Sequence, residues 1–396
     1  MSNLRGLSSQ PLSGKNEQSG KNEQRLLAGI LILGLLIRVI MVFVLHLPHM
    51  HVDSYEYYRQ AAILQQGSYL NYFPNGYPFI ILIARTLSED HSQTILLWLN
   101  IAMSTITIWW AWDIAKRIFH DTWVALTAAF LMAIFPPLVN YVRWLVTETP
   151  TIFFLLGAYF FYYRKQYWLS GLMFGLATVI RGNIGPIFIL LLVLEAIFRR
   201  TLNYRLLVGA FVPILVVGCY CYEKTGEFAI AGNAQVNILY AVTASGSHID
   251  FEMTHEHPEI DTKEKAEKMY FDHMKKEPVE FIRQRLANAW ELWGFYASDS
   301  DGNRSPASSI LLGACNLFLI VPGLVGWWMN RKDFMVVILI LPFLVITAIS
   351  VMLIAITRMA YPAEPFLILT GSWWVVRLVR RQGWFDGIRK RRTFLP

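Results

Sequence analysis

A carboxylate able to take a proton stands early in the chain, in His49-Met50-His51-Val52-Asp53-Ser54-Tyr55-Glu56-Tyr57-Tyr58. Tyrosines flank Asp53; aromatic faces stack on sugars, and a carboxylate can serve as a general base. The plainer role is a helix cap. Tyr57, Ala61 and Leu64 repeat at helical spacing after Asp53, and Asp is a good N-cap, so composition alone favours the cap. Arginines in apolar surroundings form a second set: Arg181 interrupts the stretch 168–198, Arg358 stands between two apolar runs, and Arg38 lies inside the first one. An ionisable residue at membrane depth is a functional candidate, set against a side chain that snorkels from a helix end. Arg38 needs a buried partner, either a phosphate or a carboxylate such as Glu148. Arg143 and Glu148 flank one short turn, where pairing with each other is the structural alternative to a role in a site.

Two histidine clusters invite a metal reading. His49, His51 and Asp53 alternate, which on an extended strand puts them on one face, and His255-Glu256-His257 lies near Asp250 and Glu252. Neither has a zinc-motif spacing, so no metal and no other cofactor is expected. Cys219, Cys221 and Cys315 all lie in apolar stretches and read as packing residues.

The elements that must position these residues are membrane helices. Of the 396 residues 55% are hydrophobic and 16% charged, with a mean hydropathy of +0.39. That composition excludes a disordered chain and argues against an ordinary soluble enzyme. Residues 1–25 read as a disordered polar tail, and 26–47 as an uncleaved first span. Further apolar stretches cover 92–114, 123–142, 147–163, 168–198, 205–222, 307–329, 334–357 and 360–379. The stretch 168–198 is too long for one span and is broken at Arg181–Pro186, so it counts as two short helices. The expectation is an all-α polytopic membrane protein of about ten transmembrane helices, with juxtamembrane helices and a partly helical outer loop.

Charge sets the orientation. Lys116/Arg117, Arg164/Lys165, Arg199/Arg200 and Arg331/Lys332 fall in alternate short loops, and the tail 380–396 carries a net +5. Residues 223–306 carry a net −6. By the positive-inside rule both termini are cytoplasmic, and the loops 48–91 and 223–306 are extracytoplasmic. The basic tail reads as a topology and lipid anchor, and no nucleic-acid partner is expected. Tyr77–Leu87 is too short to span; counting it would invert every later loop, so it reads as a juxtamembrane or re-entrant helix. The organisation is therefore a membrane module 26–222, an outer loop 223–306 with helices at 262–274 and 279–293 broken by Pro278, membrane helices 307–379, and a basic tail.

The ordered set of polar landmarks resembles the GT-C glycosyltransferases, specifically bacterial relatives of protein O-mannosyltransferases and of aminoarabinose transferases. The landmarks are Asp53 with Tyr57 and Ala61, then Pro74 through Gly76 to Pro78, then Pro136-Pro137. Arg143 to Thr147-Glu148-Thr149 follows, then Gly171, Gly175, Leu176 and Arg181, and last Arg358-Met359-Ala360-Tyr361-Pro362-Ala363-Glu364-Pro365. Two places depart from the family pattern. Ser54 stands where relatives with an acidic pair have Glu, and Asn75-Gly76 replaces a His-Pro-Pro turn.

The resemblance implies a polyprenyl-phosphate-linked sugar as donor, an active site on the extracytoplasmic face of the cell (inner) membrane, and transfer with inversion to a lipid, protein or glycan acceptor. The residue matching Asp53 would deprotonate the acceptor. A phosphate leaving group in a partly dry site needs Arg or Lys donors, which points to Arg181 and Arg358, with Tyr361 beside them. Tyr57, Tyr77, Glu148 and Arg143 are the candidates for positioning substrate. Two other functions compete: a polysaccharide polymerase or ligase, and a transporter of lipid-linked glycans. No repeat between halves is visible and the polar residues gather on one face, which speaks against a transporter; the Asp53 loop and the Arg358 motif speak against a polymerase.

Overall fold

A computed structural model describes residues 13–70, 73–232, 237–238, 241, 262–294 and 306–381. Every regular element among the described residues is helical, and the chain is an all-α membrane protein, as its composition requires. Five helices are long and apolar enough to cross a bilayer: Gly20–Val44, Ser92–Phe119, Gly182–Arg199, Tyr204–Thr225 and Phe334–Met352. A sixth crossing forms if Thr122–Ile134 and Pro136–Arg143, bent by 50°, count as one. Helices also fill the other expected stretches, at Glu148–Tyr163, Tyr167–Ile180, Pro306–Met329 and Glu364–Arg381. Gly76–Leu87 is a helix of 12 residues, roughly 18 Å long against a hydrocarbon core of about 30 Å.

Small residues set how closely these helices pack. A Cβ at Gly171 would overlap the Leu206 carbonyl, and one at Gly175 the Ala210 carbonyl. These glycines therefore let Tyr167–Ile180 lie backbone to backbone on Tyr204–Thr225, the small-residue packing that membrane helices use in place of a hydrophobic driving force. The contact fixes the direction of the helix that ends at Arg181. Gly76 works the same way, since a Cβ there would meet the Val179 carbonyl at 2.6 Å and the Ile180 nitrogen at 2.8 Å. The short helix of the first loop is thus seated on the backbone immediately before Arg181.

The bend in the third apolar stretch explains Arg38. Its two candidate partners from sequence were a phosphate and a carboxylate; the protein groups that hold it are instead neutral oxygens. Arg38 is fully buried and donates from Nη2 to the Met132 carbonyl, from Nη1 to the Ala133 and Gly34 carbonyls (3.0 Å each), and from Nε to Ser104 Oγ at 2.7 Å. In an unbroken helix the Met132 and Ala133 carbonyls would accept from residues 136 and 137. Both are proline and have no N–H to give. Arg38 therefore satisfies the two carbonyls that Pro136-Pro137 leaves open.

At one end of the bundle lie most of the basic pairs that marked one membrane face. Asp113 accepts from Arg117 Nε at 2.7 Å and from Arg164 Nη2 at 2.8 Å. Lys116 pairs with Glu23 at 2.9 Å, and Arg380 with Asp121 at 2.5 Å. The helices Lys263–Lys276 and Pro278–Leu292 lie at the other end, matching the expected break at Pro278. They close the end of Phe334–Met352, where Tyr270 Oη and Arg285 donate to the Met352 carbonyl and Asn288 Nδ2 donates to that of Val351. Helix ends leave such carbonyls open, and here side chains fill them.

Candidate functional site

Four charged residues from four separate segments meet at that second end. Asp53 lies in the first turn of the helix Val52–Gln65. Glu148 opens the helix Glu148–Tyr163, Arg181 follows the last residue of Tyr167–Ile180, and Arg358 sits in the 3-10 helix Thr357–Ala363. A helix N-terminus favours an acid and a C-terminus a base, so Asp53, Glu148 and Arg181 each suit the end they occupy. Arg358 Nη2 is 2.5 Å from Asp53 Oδ2, and its Nε is 3.9 Å from Glu148 Oε1. Arg181 Nη1 is 3.4 Å from the same Glu148 oxygen. The side chains of Asp53, Arg181 and Arg358 are 14–15% exposed and that of Glu148 only 2%. Burial works against the Arg358 charge, but Asp53 and Glu148 outweigh it and hold the guanidinium above its usual pKa.

The local sequence explains why Asp53 is free to reach Arg358. The cap expected of Asp53 is made instead by His51, whose Nδ1 accepts from the Asp53 backbone N–H at 3.3 Å. Ser54 Oγ accepts in return from the His51 N–H at 2.9 Å, closing a capping box. Ser54, the departure from the family pattern, thus takes part in the cap. His51 is the N-cap of a helix that begins at Val52, so the alternating strand face imagined for His49, His51 and Asp53 does not form. His49 instead accepts at its carbonyl from the Leu145 N–H at 3.0 Å, which ties the first loop to the turn before Glu148. Among the described residues no three His, Cys, Asp or Glu side chains gather as metal ligands. The second histidine cluster, at 250–257, lies outside the described residues.

The aromatic candidates form the wall. Tyr57 is buried, edge-on to Tyr77 with ring centroids 5.3 Å apart, and close to Phe73 at 5.1 Å. Burial, then the Asp53 and Glu148 charges, push the Tyr57 phenol well up, while a hydrogen bond with Thr147 works the other way. Tyr57 is therefore a neutral hydroxyl at any ordinary pH. Among the described residues, the Tyr77 hydroxyl and Glu148 Oε2 are buried without a hydrogen-bond partner. Tyr361, expected beside the phosphate, is 3% exposed and packs edge-on against Tyr141 at 4.5 Å; its ring is a wall behind Arg358.

Arg143, for which the sequence offered a pairing with Glu148, ties the first loop to the turn before Glu148 through other contacts. It donates to the Pro48 carbonyl at 2.6 Å and to Asn140 Oδ1 at 2.9 Å, and lies 3.9 Å over the Trp144 ring. Asn100, which the sequence did not single out, donates to the Val142 and Trp144 carbonyls at 3.2 and 3.1 Å. Thr149 Oγ1 donates to the Tyr141 carbonyl at 3.2 Å. Together they hold rigid the turn that delivers Glu148. The one available signal was a lone Asn within an apolar helix, which needs a polar partner. The outer-loop helices join the site from the other side, since Thr357, the residue before Arg358, donates to the Glu291 carbonyl at 3.2 Å.

Residues 74–220 match the family described as dolichyl-phosphate-mannose-protein mannosyltransferase. That segment holds Tyr77, Arg143, Glu148 and Arg181 but neither Asp53 nor Arg358. No curated protein matches the chain. Among solved structures, the archaeal oligosaccharyltransferase AglB from Archaeoglobus fulgidus, solved with an inhibitory peptide and a dolichol-phosphate, superposes with a TM-score of 0.55 at 13% identity, covering 92% of this chain and 52% of that one. The apo form of the same organism's oligosaccharyltransferase gives a TM-score of 0.57 at 14% identity, with the same coverage. The chain shares its fold with these oligosaccharyltransferase structures. It spans about half the length of the structures it matches.

Proposed function

We propose that this GT-C protein is a membrane glycosyltransferase that moves a sugar from a polyprenyl-phosphate donor to an acceptor, with inversion at the anomeric carbon. The observation that carries this is a mostly buried cluster drawn from four segments, in which Arg358 holds the carboxylate of Asp53 and Glu148 lies against both Arg358 and Arg181. A phosphate leaving group calls for the arginines, and an acceptor proton calls for the carboxylate. In the step, Asp53 takes the acceptor's proton while the acceptor atom bonds to the anomeric carbon. The bond from that carbon to the phosphate oxygen breaks, and its electron pair leaves with the lipid phosphate. Glu148 holds both arginines from beneath, and the buried rings of Tyr57 and Tyr77 back the site and hold the Asp53 helix in place.

The family matched by residues 74–220 is described by a lipid-phosphate mannose donor, and the AglB structure was solved with a dolichol-phosphate; both support the reading. The acceptor is a lipid, a protein or a glycan. The same reading places the protein in the cell membrane with both termini cytoplasmic, and the loops 48–91 and 223–306 facing the active site on the extracytoplasmic side. The test is turnover of purified protein in detergent with a labelled polyprenyl-phosphate sugar. Asp53→Asn should lower it by about 10²- to 10⁴-fold, the range for a general base. The His51–Ser54 cap does not use the Asp53 side chain, so expression should persist. Near-normal turnover with saturating donor would remove Asp53 as the base.

A further inference from the structure

We infer that the donor phosphate and Asp53 compete for Arg358, so that donor binding itself releases the base; this rests on the donor reading above. Asp53 and Arg358 are joined at 2.5 Å across 305 residues of sequence. A carboxylate locked to a guanidinium is a poor acceptor for a further proton, because the pair is worth most when it is ionised. The base therefore lies in the grip of the group that the phosphate needs.

The charge count says which contact gives way. Asp53, Glu148, Arg181 and Arg358 sum to zero. A sugar phosphodiester adds one negative charge, and Arg358 cannot serve three anions in one plane at full strength. Glu148 is fixed: it is 2% exposed, opens a buried helix and also holds Arg181. Asp53 is the mobile partner. Its helix keeps its cap through His51 and Ser54 whatever the Asp53 carboxylate does. Its side chain is 15% exposed against 2% for that of Glu148, so it has the more room to turn. Once phosphate takes Arg358, Asp53 faces an added negative charge with its counter-ion gone, and both changes strengthen it as a base. Transfer leaves the acceptor proton on Asp53, the sugar bonded to the acceptor, and the electron pair with one more negative charge on the lipid phosphate; the Asp53–Arg358 pair re-forms once that phosphate departs and Asp53 gives up its proton. The order that follows is donor first, acceptor second.

Binding of a short-chain polyprenyl phosphate to the full-length protein in detergent tests this by sign. Removing the competing charge in Asp53→Asn should tighten binding about tenfold, the lower end for a charged hydrogen bond. Arg358→Ala should weaken it by at least as much. If Asp53 merely aimed Arg358 at the phosphate, Asp53→Asn would bind more weakly. Equal or weaker binding by Asp53→Asn, repeated with Asp53→Ala, overturns the competition and leaves the donor reading standing. Failure of the unmodified protein to bind the lipid phosphate overturns both.

Discussion

Arg38 and Arg358 are both largely withdrawn from water, and they are satisfied in different ways. Arg38 is 0% exposed and spends its donors on three backbone carbonyls and the Ser104 hydroxyl. Arg358 is 14% exposed at its side chain and lies between two carboxylates. The carbonyls around Arg38 belong to helix backbone and cannot step aside, so that guanidinium is a fixed part of the frame. The carboxylates around Arg358 are side chains, one of them on a loop helix, and a stronger or better placed anion can displace one. A buried cation held by backbone is structure; a buried cation held by movable anions is a site awaiting a ligand.

The largest effect should come from breaking the first kind. Arg38→Met leaves the Met132 and Ala133 carbonyls open in an apolar interior, each orphan costing about 1–3 kcal/mol, offset in part by the removal of a buried charge. A loss of roughly 2–4 kcal/mol in unfolding free energy in mixed micelles is expected, with turnover per folded molecule unchanged. The cause is testable in a cycle. Pro136→Ala with Pro137→Ala restores the two N–H groups, so Arg38→Met should cost less in that background; an equal cost in both backgrounds would detach Arg38 from the proline break.

Arg358→Ala should do the reverse, costing little in stability and much in turnover. Loss of a charge-assisted contact to phosphate is worth about 1.5–3 kcal/mol, or roughly ten- to a hundredfold. Arg358→Lys should recover only part of it, since an ammonium cannot reproduce the planar fork that meets Asp53, Glu148 and phosphate together. Stability and turnover falling in the same proportion for Arg38 and Arg358 would erase the distinction between them.

How far these roles were legible in sequence follows the range of each interaction. Helix positions were readable because hydrophobic runs and breakers are local: the breaks at Arg181-Gly182 and Pro278 fall where composition put them. Asp53, Glu148, Arg181 and Arg358 stood out because charge beside a membrane span is conspicuous. Their meeting was not readable, since residues 53 and 358 are brought together only by the packing of every helix between them. The cap at His51 was misassigned to Asp53 because His is an uncommon cap, and only geometry shows that Ser54 answers it. Arg38 was readable in principle. Two prolines in an apolar helix orphan the carbonyls four residues earlier, and a lone arginine in a neighbouring span is a donor of the right reach.

The smallest effect belongs to a third kind of arginine, one that faces water. Arg380 is 45% exposed at its side chain and donates to Asp121 from Nη1 at 2.5 Å and from Nη2 at 3.0 Å, at the end of the bundle remote from the site. Asp121 also caps the helix Thr122–Ile134, its Oδ1 accepting from the Trp123 N–H at 2.9 Å. Burial tends to raise the Asp121 carboxyl, but the hydrogen bonds and charge from Arg380 and the backbone win and hold it below its usual value. A carboxylate lowered on folding adds stability above its unfolded pKa of about 3.9 and loses it as pH falls through the lower folded value. Asp121→Asn keeps a good cap and removes the ion pair, which at this exposure is worth about 0.2–1 kcal/mol. The variant should therefore be slightly less stable than the parent at pH 7. The gap should narrow with added salt and close as pH falls through the parent's lowered carboxyl value and the carboxylate takes its proton. A gap that stayed constant with pH and salt would mean that the cap carries the effect, and that a water-facing arginine in this protein contributes nothing measurable.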